Sequence, residues 1–179
     1  MGNIIKRYLD LDYAEVLILV VGIYLCYIGI LRYKERKQGE AVPRIRYGFG
    51  LLFIVYIVFL LELTLLNRGM GLEYRLELEM FWSYKKVILE HDLELRTQIL
   101  GNIIAFLPWG ILLPLISEKA RNFRVTILSA FFMSAGIELM QLIFKCGLCE
   151  LDDVMNNTLG AFIGYGIIMI IGRIWKKKA

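Results

Sequence analysis

A single histidine and three cysteines are spread over 179 residues, so the chain holds few of the ligands from which a closed zinc site is built. No Gly-rich phosphate loop and no arrangement of Ser, His and Asp for nucleophilic catalysis is visible. No metal and no cofactor are therefore expected. Charge is the most telling shortage. Residues 14–31, 47–66, 99–116, 125–144 and 155–174 form five apolar runs with only four charged side chains between them, Glu15, Glu62, Glu138 and Arg173. Together with a mean hydropathy of +0.60, this excludes an ordinary globular cytosolic enzyme. Internal repeats, low-complexity tracts and long linkers are also missing. The first run lacks the small-residue cleavage site of a secretory signal, is too long for one and is followed by a basic cluster, so it is expected to be retained.

Each run is long enough to cross ~30 Å of hydrocarbon at ~1.5 Å per helical residue. An isolated span satisfies its backbone polar groups there only as a helix. The sequence thus predicts an all-α, polytopic membrane protein, a bundle of five transmembrane helices. Residues 1–75 are read as an N-terminal two-helix region and residues 76–179 as a three-helix core that forms one bundle with it. The longest hydrophilic stretch runs from Asn67 to Gln98. Orientation follows from Lys and Arg, which are retained on the cytoplasmic side. Arg32, Lys34, Arg36, Lys37, Arg44 and Arg46 lie between the first two runs, and alternation groups them with Lys119, Arg121, Arg124, Arg173, Lys176, Lys177 and Lys178. That places 13 of the 21 basic residues inside and the acid-rich loops outside, with the N-terminus outside and the C-terminus inside. The basic face reads either as a plain retention signal or as a surface for anionic lipid head groups. No nucleic-acid module is present, and no nucleic acid is expected as a partner.

The informative residues are the polar ones inside the runs. Glu138 lies six residues from the expected outer end of its run, about 9 Å deep at the helical rise, where an ionisable group is costly and is expected to face the bundle or a water-filled cavity. Ser134, Glu138, Gln141 and Lys145 share one helix face by their spacing of four, three and four. Asp153, Asn157, Gly160 and Gly164 form a matching stripe on the last helix, and either Asp152 or Asp153 is placed to cap that helix. Gly160 and Gly164, with Ala161, make a small-residue face for close helix approach. Asn102 stands near the outer end of the third run, and Pro108, which frees the carbonyl of Ile104, is expected to kink that helix, with Gly110 and Pro114 loosening the following turns. Asn102, Glu138, Gln141, Asp153 and Asn157 are the candidate ligand-binding set. Pro108, Gly110, Gly160 and Gly164 are the candidate packing set. Glu62 either joins the polar cluster or snorkels.

Three linked blocks carry a family resemblance: Asn102 through Phe106, Pro108 and Gly110; then Glu138 to Gln141; then Asp153 through Asn157 and Gly160 to Gly164. In this order they resemble the VanZ-like family over roughly residues 76–172. The resemblance implies a multi-pass protein of the bacterial cytoplasmic membrane that lowers susceptibility to teicoplanin and related glycopeptides. Two positions depart from the family pattern. Glu77-Leu78-Glu79-Met80-Phe81 stands where many relatives have Asn-Leu-Xaa-Pro-Phe, and Cys146 and Gly147 stand where an Arg often precedes the acidic loop, although Lys145 offers a nearby cation.

Cys146 and Cys149 read as incidental thiols, a local disulfide or half of a metal site, and Cys26 as a small apolar residue buried in the first span. His91 has many structural explanations. Phe81, Trp82 and Tyr84, followed by Lys85 and Lys86, suggest a segment at head-group depth. Two functional readings stay open. In one, an outer-leaflet polar cleft binds a lipid-linked peptidoglycan precursor, a lipoglycopeptide or a partner protein, with membrane lipids as constant neighbours. In the other, an intramembrane enzyme uses Glu138 and Asp153 as a general acid/base pair on a lipid-linked cell-wall precursor.

Overall fold

The computed structural model describes residues 13–39, 41–66, 71 and 73–178, without the side chains of residues 13, 38, 66 and 173–178. The side chains of Arg173 and Lys176 to Lys178, used above for orientation, lie outside the described set, as does Asn67 at the start of the polar stretch. Six α-helices are formed among the described residues. Five of them are long and apolar enough to cross a membrane, over Ala14–Lys37, Arg44–Leu65, Leu93–Ile116, Phe123–Phe144 and Leu151–Gly172. The chain divides into two compact units, Met1–Asn67 and Arg68–Ala179.

The first unit is a helical hairpin of α1 (Tyr13–Gln38) and α2 (Arg44–Leu61). Gly39 takes a left-handed conformation (φ +71°) that ends α1 without a Cβ penalty. The Glu35 carboxylate then accepts the Val42 N–H at 2.8 Å and steadies the turn. The α1 hydroxyls of Tyr24 and Tyr27 donate to the carbonyls of Tyr47 (3.3 Å) and Arg46 (3.1 Å) in the first turn of α2. Gly50 permits this approach, since a Cβ there would overlap the Tyr27 ring. The helix finishes in a π-helical turn, Glu62–Leu66, in which Glu62 is exposed. Cys26 is exposed on α1 rather than enclosed by protein, since no described residue of this unit covers it.

The second unit contains β1 (Arg75–Glu77), α3 (Trp82–Glu90), α4 (Leu93–Ile116), a 3-10 turn (Lys119–Arg121), α5 (Phe123–Phe144), β2 (Leu148–Glu150) and α6 (Leu151–Lys178). Local sequence starts two of these helices. The Asp92 carboxylate accepts the N–H groups of Glu94 and Leu95 at the head of α4, and the Asn122 side chain accepts that of Arg124 at the head of α5. Lys145 ends α5 in a left-handed conformation (φ +54°), where a glycine is usual. The Cys146 N–H donates to the Gln141 carbonyl at 3.0 Å there.

α4 and α6 run parallel and form the tightest pair. A Cβ on Gly160 would overlap the Ile103 carbonyl, one on Gly164 the Leu107 carbonyl, and one on Gly110 the backbone of Ala161 and Tyr165. The two backbones therefore touch along about two turns, with Phe106 and Ala161 fully enclosed. α4 continues as helix through Pro108 and Pro114, and Gly110 lies at this close approach. α5 joins through the Trp109 indole N–H, which donates to Ser129 Oγ at 3.1 Å. β1 and β2 pair in parallel with Arg75 opposite Leu148, Leu76 opposite Cys149 and Glu77 opposite Glu150, closing the end of the unit at which α4 and α6 begin and α5 finishes.

Candidate functional site

Parallel packing puts the heads of α4 and α6 at one level, since Ile103 lies against Gly160 and Leu107 against Gly164. The tail of antiparallel α5 arrives at the same end. Polar residues that are scattered in sequence meet there, and Ser134, Glu138, Gln141, Glu150, Asp152, Asp153, Asn156 and Asn157 are all buried.

Glu138 Oε2 accepts the N–H of Glu150 at 2.9 Å, tying α5 to the β2–α6 junction. One turn deeper, Asn157 Nδ2 donates to Ser134 Oγ at 2.8 Å. The Gln98 side-chain amide, on α4, donates to Glu150 Oε1 at 3.1 Å and lies 3.4 Å from both oxygens of Asp153. Glu150 is thus the link between the two expected acid/base residues: its backbone touches Glu138, and its side chain shares a donor with Asp153. Burial pushes the Glu150 carboxyl up to about 7, and the negative charge of Asp153 adds to this. The Gln98 hydrogen bond pulls the other way, Asp152 raises it further, and the Trp82 indole lowers it. Burial raises the Cys149 thiol as well, with Glu138, Glu150 and Asp153 reinforcing the effect. Among the described residues no disulfide joins Cys146 and Cys149.

The aspartate pair divides its work in a way the sequence did not suggest. Asp152 caps α3 rather than its own helix: Oδ1 accepts the Phe81 N–H at 2.6 Å, and Oδ2 accepts the Ser83 N–H at 3.0 Å and the Ser83 hydroxyl at 2.6 Å. Its neighbour a turn later, Asn156, accepts the Tyr84 hydroxyl. Burial raises the Tyr84 phenol, and the Asp152 charge acts in the same direction. Adjacent residues on a helix point about 100° apart, so Asp152 and Asn156 face α3 while Asp153 and Asn157 face α4 and α5. The doubled pattern Asp-Asp, then Asn-Asn four residues on, is the signal that could have revealed this second polar face.

Of the predicted ligand-binding set, Glu138, Gln141, Asp153 and Asn157 are buried at this end and Asn102 is half-buried within one turn of it. Lys145, at the end of the α5 stripe, places its ammonium 4.3 Å from the centre of the Tyr74 ring. His91 is the exposed, left-handed residue between α3 and α4. Asn102 Nδ2, Asn156 Nδ2 and Asn157 Oδ1 are enclosed with no hydrogen-bond partner among the described residues. Gln98, Glu150, Asp152, Asn156, Ser83 and Tyr84 belong to the same network and were outside the predicted set.

Five spanning helices, three of them packed around a carboxylate and carboxamide network at one end, define a multi-pass membrane protein. The VanZ/LLP1 family model matches residues 53–172, and the chain belongs to that family. Protein VanZ of Enterococcus faecium is 33% identical over 73 residues, a match that covers 39% of this chain and 45% of that relative, so this chain spans less than half of its length. No solved structure matches.

Proposed function

We propose that this chain lowers the susceptibility of a bacterial cell to glycopeptide antibiotics of the teicoplanin type. In this reading it resides in the cytoplasmic membrane with its N-terminus outside, and the polar end of the three-helix unit lies in the outer leaflet. There it engages a lipid-linked cell-wall component, a lipoglycopeptide or a partner protein. Family membership supports the glycopeptide role, and the distribution of basic residues supports the orientation. The observation that carries the proposal is the set of enclosed, unpartnered polar atoms on Asn102, Asn156 and Asn157. Each costs ~1–3 kcal/mol if left unsatisfied, and a polar group inserted from a ligand would offset that cost.

The second reading, an intramembrane enzyme with Glu138 and Asp153 as acid and base, is favoured by one observation. A carboxyl titrating at about 7, that of Glu150, lies between them and is suited to hold or pass a proton near neutrality. The two readings separate on turnover. Purified protein in nanodiscs is incubated with a lipid-linked peptidoglycan precursor, and bound and free lipid are recovered. The binding reading expects saturable retention with the precursor recovered intact. Chemical conversion would favour the enzyme, and neither retention nor conversion would count against this precursor in both readings.

A further inference from the structure

A second polar feature lies outside the buried network, on the outward face of α3. Glu77, Glu79 and Glu90 together with Lys85, Lys86 and Trp82 line a cleft of about 260 Å³. Pockets for drug-sized ligands run to ~300–1,000 Å³, so this space suits a head group and not a whole amphiphile. Its charges are only loosely engaged. Lys85 pairs with Glu79, but both side chains are 59% exposed, and such a pair holds ~0–1 kcal/mol. The Lys86 ammonium rests 5.1 Å from the centre of the Trp82 ring.

Beside the cleft, Ile88, Leu89 and Leu93 are 70% or more exposed. Leu89 also lines the cleft, and Leu93 opens the spanning segment of α4. Large aliphatic side chains gain ~1.5–3 kcal/mol each on leaving water, and their position at the mouth of a span makes acyl chains the available cover. Asp152 ties the head of α3 to the head of α6, so cleft and aliphatic rim lie beside Leu93, where the apolar segment of α4 begins and where head groups would meet hydrocarbon.

We propose that this cleft binds the head group of a bilayer phospholipid carrying both a phosphate and a primary ammonium. Three carboxylates against two ammonium groups leave the cleft with a formal charge of −1, which disfavours a purely anionic head group. A purely cationic one would meet both lysines. A zwitterion leaves the net charge at −1 but sets its phosphate against Lys85 and Lys86 and its ammonium, through N–H groups, against the glutamates, while its acyl chains continue over Leu89, Ile88 and Leu93. This inference does not depend on the glycopeptide reading.

The test is native mass spectrometry of the full chain released from detergent, titrated separately with dioleoyl phosphatidylethanolamine, phosphatidylcholine and phosphatidylglycerol. Retention of phosphatidylethanolamine is expected to be about tenfold tighter than that of either other lipid. The Lys85→Gln/Lys86→Gln double variant should lose about tenfold in this retention. Glu79→Gln/Glu90→Gln should weaken phosphatidylethanolamine and strengthen phosphatidylglycerol. All four side chains are exposed, so thermal stability equal to that of the unsubstituted protein is the control. Equal retention of phosphatidylcholine would mean that the N–H groups are not read, and tighter retention of phosphatidylglycerol would reduce the cleft to simple anion attraction. Either result, or variants that leave the order of the three lipids unchanged, would overturn the proposal.

Discussion

Glu150 holds its proton near neutrality because it is enclosed beside Asp153, and this makes folding stability depend on pH in a defined direction. Its ordinary value is 4.5 and its folded value about 7. Between these two, the folded chain binds a proton that the unfolded chain has released, so stability declines as pH rises through that window and levels off above it. Glu150→Gln should flatten the decline, with the largest gain over the unsubstituted protein above pH 7, as read from thermal unfolding in detergent at a series of pH values. An identical pH profile in the variant would show that Glu150 titrates normally. The stripe arithmetic brought Glu138, Asp153 and Asn157 together because depth and helical period are local properties of a spanning sequence. It missed Glu150 and Asp152, which look like loop and cap acids until the chain folds back. Their partners, Gln98 and Ser83, lie 52 and 69 positions away, and no periodicity encodes such a distance.

Helix α3 owes its start to another helix. Phe81 precedes it in a left-handed conformation and provides no side-chain cap, and Asp152 supplies the acceptors instead. Asp152→Ala should therefore release the α3 head, lowering stability by about 2 kcal/mol, in the range of a lost cap with buried donors. Hydrogen exchange should locate the loss of protection in residues 81–90, with α5 unchanged. The α4–α6 contact gives a sharper element-scale prediction. Gly160→Leu or Gly164→Leu must push the two backbones apart and should cost at least about 1–3 kcal/mol. Gly166→Ala meets nothing within 4 Å and should be neutral or stabilising, since Ala is favoured over Gly in a helix by ~1 kcal/mol. Equal thermal midpoints for all three variants would mean that this face does not form the contact. The five long helices were legible because apolar length alone specifies a span. α3, nine residues long, and strands of three residues each were not, because their stability comes from tertiary partners.

For the whole molecule, the proposed orientation places residues 73–98 outside and residues 32–38 inside. In a chain whose Cys26, Cys146 and Cys149 are replaced, a single cysteine at Glu73 should react with a membrane-impermeant maleimide added to intact cells, and one at Lys37 should react only after lysis. The reverse pattern would invert the polar end into the inner leaflet. The central claim is that the buried network at the heads of α4 and α6 engages a ligand and is not only a fastening of the fold. Its most direct measurement is teicoplanin susceptibility of cells producing Glu138→Gln, Asp153→Asn or Asn157→Ala, each at membrane levels equal to those of the unsubstituted protein. The first two exchanges keep side-chain size while removing charge, so loss of function at normal abundance isolates electrostatics from packing. The expected result is that each variant returns cells to the susceptibility of cells carrying the empty vector. Full protection by both Glu138→Gln and Asp153→Asn would contradict the claim and leave the carboxylates a structural role alone.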